Sequence, residues 1–147
     1  MLTSRLKQFE DGYNRLLESI EKENDLLFKN EHQIIRDSII KRFEFTFELG
    51  WKLLKNFLEE NGVKAFSPRE CIKEAFKMNL ITKEEDWLEL LKARNLTSHV
   101  YAETMAEDIY NKIKQYHFLI KNLINEIKHR CSQIAHDNGK VAGKNFV

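Results

Sequence analysis

A chain of 147 residues can bury one core of its own, and 42% apolar with 32% charged residues suits a folded globular protein, not a disordered one. A formal charge of +1 excludes a strongly basic nucleic-acid coat and leaves room only for a local phosphate-binding patch. One proline and five glycines leave few helix breakers, which points to an all-α fold.

The N-terminus carries Arg5, Lys7, Glu10 and Asp11 and lacks a signal-peptide apolar core. No apolar run approaches the roughly 20 residues that span a bilayer, so a cytoplasmic location and no membrane partner are expected. Cys71 and Cys131 stand alone outside any CxxC, as thiols do in a reducing compartment.

In chain order, Leu6, Phe9, Tyr13, Leu16, Leu17 and Ile20 recur at three- and four-residue steps and predict a first helix from about Thr3 to Leu27 with one apolar stripe. A second helix, about Glu31 to Asn61, ends at Gly62, a residue suited to the left-handed position past a helix end. Its middle, Phe43 to Trp51, is apolar over more of the circumference than a surface helix needs, beside a polar strip of Lys41, Glu44, Glu48, Lys52, Lys55 and Glu59. Glu48 can pair with Lys52 one turn on. The apolar width predicts burial on two sides, by this domain and by a second chain.

Ser67-Pro68-Arg69-Glu70 reads as an N-cap, a proline at the first helical position and a capping-box acid, opening a third helix to about Met78. Thr82-Lys83-Glu84-Glu85 repeats that pattern for a fourth helix through Trp87, Leu88, Leu90 and Leu91. Thr104-Met105-Ala106-Glu107 repeats it again for a fifth, through Ile109, Tyr110, Ile113, Tyr116, Leu119, Ile120, Leu123, Ile124 and Ile127. The break between the fourth and fifth falls near Ser98 to Glu103. Beyond Arg130 the period fades, so residues 1–130 are expected to form the helical domain and 131–147 a flexible tail.

Arg94-Asn95-Leu96-Thr97-Ser98-His99-Val100-Tyr101 concentrates the chemistry of the chain. On one straight helix Arg94 and His99 would lie about 140° apart, so joint action requires the backbone to leave the helix near His99. An imidazole beside a guanidinium suits metal-independent RNA cleavage: the first moves a proton and the second holds the phosphate. One motif supplies one histidine, so an acid and a base together imply a homodimer. RxxxxH spacing also occurs at ordinary helix ends, where both side chains merely satisfy carbonyls and acids.

His32, His117, His129 and His136 have no carboxylate or thiolate partner at metal-ligand spacing, and no metal or cofactor site is expected. Trp51 and Trp87 fall in apolar periods that suit core packing. There is no glycine-rich phosphate loop and no paired-Asp motif, which argues against nucleotide transfer by this chain alone. Residues 83 to 108 hold three basic against seven acidic side chains, a formal net of −4. That balance favours a docked protein or one buried phosphate over an extended RNA track.

Three segments, Phe43 to Lys52, Ser67 to Glu70 and Arg94 to Tyr101, resemble the HEPN superfamily, specifically its nucleotidyltransferase substrate-binding proteins, over about residues 5 to 127. The resemblance implies a five-helix up-and-down bundle that dimerises through long helices and pairs with a separately encoded minimal nucleotidyltransferase in a toxin-antitoxin type system. It implies a ribonuclease in which Arg94 and His99 are catalytic, with Asn95, Ser98 and Glu48 as supporting or substrate-binding residues, and which the partner silences by attaching AMP to Tyr101. It equally allows a non-catalytic subunit that binds a nucleotide or other substrate for the transferase.

Overall fold

The apolar stripe of the first segment winds into α1 (Leu2–Glu23), which lays Leu6, Phe9, Tyr13, Leu16 and Ile20 against α2 (His32–Glu60). The structure, a computed structural model, describes residues 2–23, 31–100 and 102–145, with side chains as far as residue 133. The expected end of the first helix at Leu27 lies outside the described residues.

Helix α2 is the axis of the domain and touches α1, α3, α4 and α5. It buries Ile39, Ile40, Phe43, Phe47, Leu53, Leu54, Phe57 and Leu58, so much of its apolar width is used within the chain. Phe45 remains 59% exposed. Close approach of α1 and α2 depends on two glycines facing opposite ways. A Cβ on Gly12 would meet Thr46 Oγ1 at 3.3 Å, and one on Gly50 would meet the Phe9 ring at 2.8 Å. Thr46 tolerates complete burial because its hydroxyl donates to the Arg42 carbonyl at 2.7 Å. Gly62 ends α2 in the left-handed region (φ 79°), with Val63 N–H bonded to the Leu58 carbonyl and Gly62 N–H to that of Glu59.

α3 (Pro68–Lys77) opens as its sequence predicts. Ser67 Oγ accepts from Glu70 N–H at 3.2 Å, while Glu70 reaches back to accept from Phe66 N–H at 2.8 Å. The other two capping predictions are corrected. α4 (Glu84–Leu96) has Lys83 at its N-cap and α5 (Glu103–Tyr116) has Ala102, neither with a side-chain cap. Thr82 therefore precedes the α4 cap, and Thr104 already lies inside α5. Glu103 takes the first helical position of α5, where a carboxylate suits the positive helix end and also reaches Arg36 of α2.

The predicted fifth helix is divided at His117 into α5 and α6 (Phe118–Asn145), giving six α-helices among the described residues instead of five. Ile120 N–H bonds to the His117 carbonyl only three residues back, a tightened turn. The half-buried His117 imidazole lies 3.1 Å from Tyr13 Oη and stacks on its ring, pinning this point to α1. Burial lowers the His117 pKa and favours the neutral ring. The backbone of α6 stays helical to Asn145, past Arg130 where the apolar period fades. The all-α class holds, and none of the described helices is long and apolar enough to cross a membrane.

Candidate functional site

The end of α4 carries the motif because the helix tightens there. Thr97 Oγ1 donates to the Arg94 carbonyl at 2.7 Å, and residues Thr97–His99 form one 3-10 turn before Val100 turns extended. The chain thus leaves the α-helix between Leu96 and Ala102, where the sequence places the break. Arg94 lies in the last turn of α4, its guanidinium directed towards α2. Asn95, Ser98 and His99 are exposed. Tyr101 lies outside the described residues.

Arg94 binds Glu48 of α2 through Nη2, and its Nη1 donates to Asn95 Oδ1 at 3.3 Å. Lys52 Nζ approaches the other Glu48 oxygen at 3.5 Å. Sequence spacing thus anticipates the weaker partner of Glu48 and misses the stronger, which lies 46 residues away. Partial burial pushes the Glu48 pKa up, but the Trp51 indole, Arg94 and Lys52 outweigh it and hold the carboxyl below its ordinary range. The Trp51 Nε1–H is itself buried without a well-formed hydrogen bond, so its pull on Glu48 is that of a nearby dipole. With 30% and 34% side-chain exposure, the Arg94–Glu48 pair is worth about 1 kcal/mol or less to stability. Its main effect is to orient the guanidinium.

Glu48 also lines a groove of about 690 Å³ between α1 and α2, with Arg15, Arg42, Phe45 and Leu49. Asn95 faces a different, more polar cleft between α3, α4 and α5, beside Arg69, Lys92 and Lys112. The structure therefore joins Glu48, Arg94 and Asn95 in one hydrogen-bonded chain and places Ser98 and His99 on the 3-10 turn that follows. Trp87 belongs to the core and Trp51 packs half-buried against it.

Much of the acidic excess around the motif is spent inside the domain. Glu89 is bound by Lys112, while Glu103 and Glu107 accept from Nη1 of the buried Arg36 at 2.6 and 3.1 Å. His32 Nε2 lies 2.8 Å from Glu107, and its Nδ1 is 3.6 Å from Glu23. His32 thus has the carboxylate partners that local spacing could not reveal. The hydrogen bond from His32 is the main influence holding the Glu107 pKa down, and that from Arg36 does the same for Glu103. Among the described residues no cluster of three acids, histidines or cysteines is arranged to hold a metal. The side chain of His136 lies outside the described residues.

The chain matches known proteins over most of its length. Residues 4–129 fit the family described as nucleotidyltransferase substrate binding protein like. The Haemophilus influenzae protein named "Probable ribonuclease HepT" is 26% identical over 112 residues, which cover 70% of this chain and 77% of that protein. The fold also resembles two solved structures. One, from Haemophilus influenzae, is described as revealing the fold of a substrate binding domain of a nucleotidyltransferase; it superposes with a TM-score of 0.76 at 21% identity, covering 84% of this chain and 98% of its own. The other, from Thermus thermophilus, gives a TM-score of 0.63 at 26% identity, covering 85% and 97%. With its long central helix, its α4 motif and a family match spanning residues 4–129, the chain belongs to the nucleotidyltransferase substrate-binding protein-like family.

Proposed function

We propose that this protein is the HEPN subunit of a two-component system with a separately encoded minimal nucleotidyltransferase, and that it is a metal-independent ribonuclease. The observation that carries the reading is the Arg94 guanidinium, held by Glu48 at the edge of the α1/α2 groove and followed five residues on by an exposed His99. A relative bearing a ribonuclease name supports it. Arg94 retains N–H donors beyond those given to Glu48 and Asn95, and these suit a phosphate oxygen. One His99 removes the 2′-hydroxyl proton as that oxygen attacks phosphorus. The 5′-oxygen departs with a proton from a second His99, leaving a cyclic phosphate and a free 5′-hydroxyl. The second imidazole comes from a homodimer formed across α2, where exposed Phe45 and half-buried Leu49 line the groove beside Glu48.

Silencing follows when the partner transfers AMP to Tyr101, the phenol oxygen displacing pyrophosphate from ATP. Purified wild-type protein should degrade RNA and His99→Ala should not. Equal degradation by both, or by neither across several RNAs, would sink the ribonuclease reading. The second reading, a non-catalytic subunit presenting substrate to the transferase, is favoured by the family description. It requires a stable complex with the transferase at micromolar concentration in the absence of RNA cleavage.

A further inference from the structure

The connection bearing His99 is tied to α2 at both ends, by two ion pairs of opposite polarity. At the upstream end Arg94 reaches Glu48 of α2, and at the downstream end Glu103 reaches Arg36 of α2. Arg36 and Glu48 stand twelve residues apart on one helix, about 18 Å along its axis. The downstream tie is the more unusual chemically. The Arg36 side chain is only 3% exposed, while its acceptors Glu103 and Glu107 are 66% and 39% exposed. Asp37 completes the set, accepting from Nε and Nη2 at 3.1 and 3.0 Å.

Guanidinium burial is costly unless its donors are filled, and Arg36 fills them with carboxylates that remain partly in water. Its pKa is driven further up, first by Glu103, so it stays charged throughout. Glu103, Glu107, Tyr110 and Lys114 follow one another on α5 at four-, three- and four-residue steps, presenting one face to His32 and Arg36. Tyr110 is buried edge-on to His32, and Lys114 lies over its ring and 3.7 Å from Glu23. The start of α5 is therefore bolted to α2, and its last turn to the end of α1.

We propose that Arg36 is a positioning residue for the His99 segment: by holding Glu103 and Glu107 it fixes where the chain leaving His99 must re-enter the fold. Only three residues separate His99 from Glu103, so the connection reaches at most about 14 Å. An anchor at Glu103 restricts His99 directly. Any catalytic consequence rests on the ribonuclease reading, whereas the restriction itself does not.

The test is amide hydrogen exchange of the whole protein, comparing wild type with Glu103→Gln and Arg36→Lys. Glu103→Gln alters an exposed side chain and keeps the fold, and Arg36→Lys keeps the charge while removing the forked donors. Exchange at residues 97–100 and 102 should rise about tenfold or more in both variants, with residues 53–58 of α2 unchanged. Unchanged exchange in that segment overturns the proposal. A rise spread evenly over the domain also overturns it, because Arg36 would then be a general stabilising residue. If the wild type cleaves RNA, both variants should lose kcat with little change in KM; loss through KM alone contradicts the positioning role. If the wild type cleaves no RNA, the ribonuclease reading fails while the exchange result still decides this one.

Discussion

Replacing Gly50 by alanine tests the α1/α2 contact on which the site is built. In an open helix the change would stabilise by about 0.8–1.0 kcal/mol, since alanine loses less backbone entropy than glycine. Here the new Cβ would stand 2.8 Å from Cε1 and Cζ of Phe9, a ring only 1% exposed and closely surrounded. Overpacking of this kind costs about 1–3 kcal/mol, because either the ring or the helices must move. The balance is a net loss of about 1 kcal/mol, within a range of about 0–2, and a fall in Tm of about 2–4 °C for that central value. Phe9→Leu removes both clashing atoms. In that background Gly50→Ala should become stabilising, a coupling of about 1–3 kcal/mol measurable by a urea double-mutant cycle. A rise in Tm for Gly50→Ala alone, with no coupling to Phe9, would refute the close approach.

Other expectations follow from the charged and thiol groups. Glu48, Glu103 and Glu107 have folded pKa values below the ordinary 4.5. Their stabilisation is complete above about 4.5 and is lost as the pH falls through the lowered values. The neutral His117 ring, its pKa lowered from 6.5, costs stability as soon as the pH falls below about 6.5, so urea midpoints should decline gently below about pH 6.5 and more steeply below about 4.5. Glu48→Gln should weaken this acid response, cost about 1 kcal/mol or less at pH 7 and reduce any RNA cleavage about tenfold by freeing Arg94 to wander. Burial pushes the Cys71 thiol up to about 11, so at pH 8 iodoacetamide should modify the half-buried Cys131 first and reach Cys71 only on unfolding.

Local signals proved readable where the physics is local. The Leu6 to Ile20 stripe, the Ser67-Pro68-Glu70 cap and Gly62 each act within one or two turns, and each lies where the sequence puts it. Thr82 and Thr104 misled because a capping pattern does not say which residue leaves the helix. At α5 that choice goes with Glu103, which meets an arginine 67 residues earlier. The division at His117 likewise coincides with a partner, Tyr13, 104 residues away. At the site, motif spacing pointed to Arg94 and His99, and the family resemblance added Asn95, Ser98 and Glu48. Neither could show that Glu48 holds Arg94, and both missed Arg36 altogether. A lone arginine near a helix start carries no sign of burial, and the only clue was the four-three-four spacing of Glu103, Glu107, Tyr110 and Lys114 on the facing helix.

The most direct measurement is cleavage of a defined RNA in excess EDTA by wild-type protein and by His99→Ala, with the product ends identified. Wild type should leave a 2′,3′-cyclic phosphate and a 5′-hydroxyl without added metal, and His99→Ala should be slower by about 10²-fold or more. Cleavage that EDTA abolishes, or that proceeds equally without the His99 imidazole, would contradict the assignment of Arg94 and His99 as a metal-independent catalytic pair.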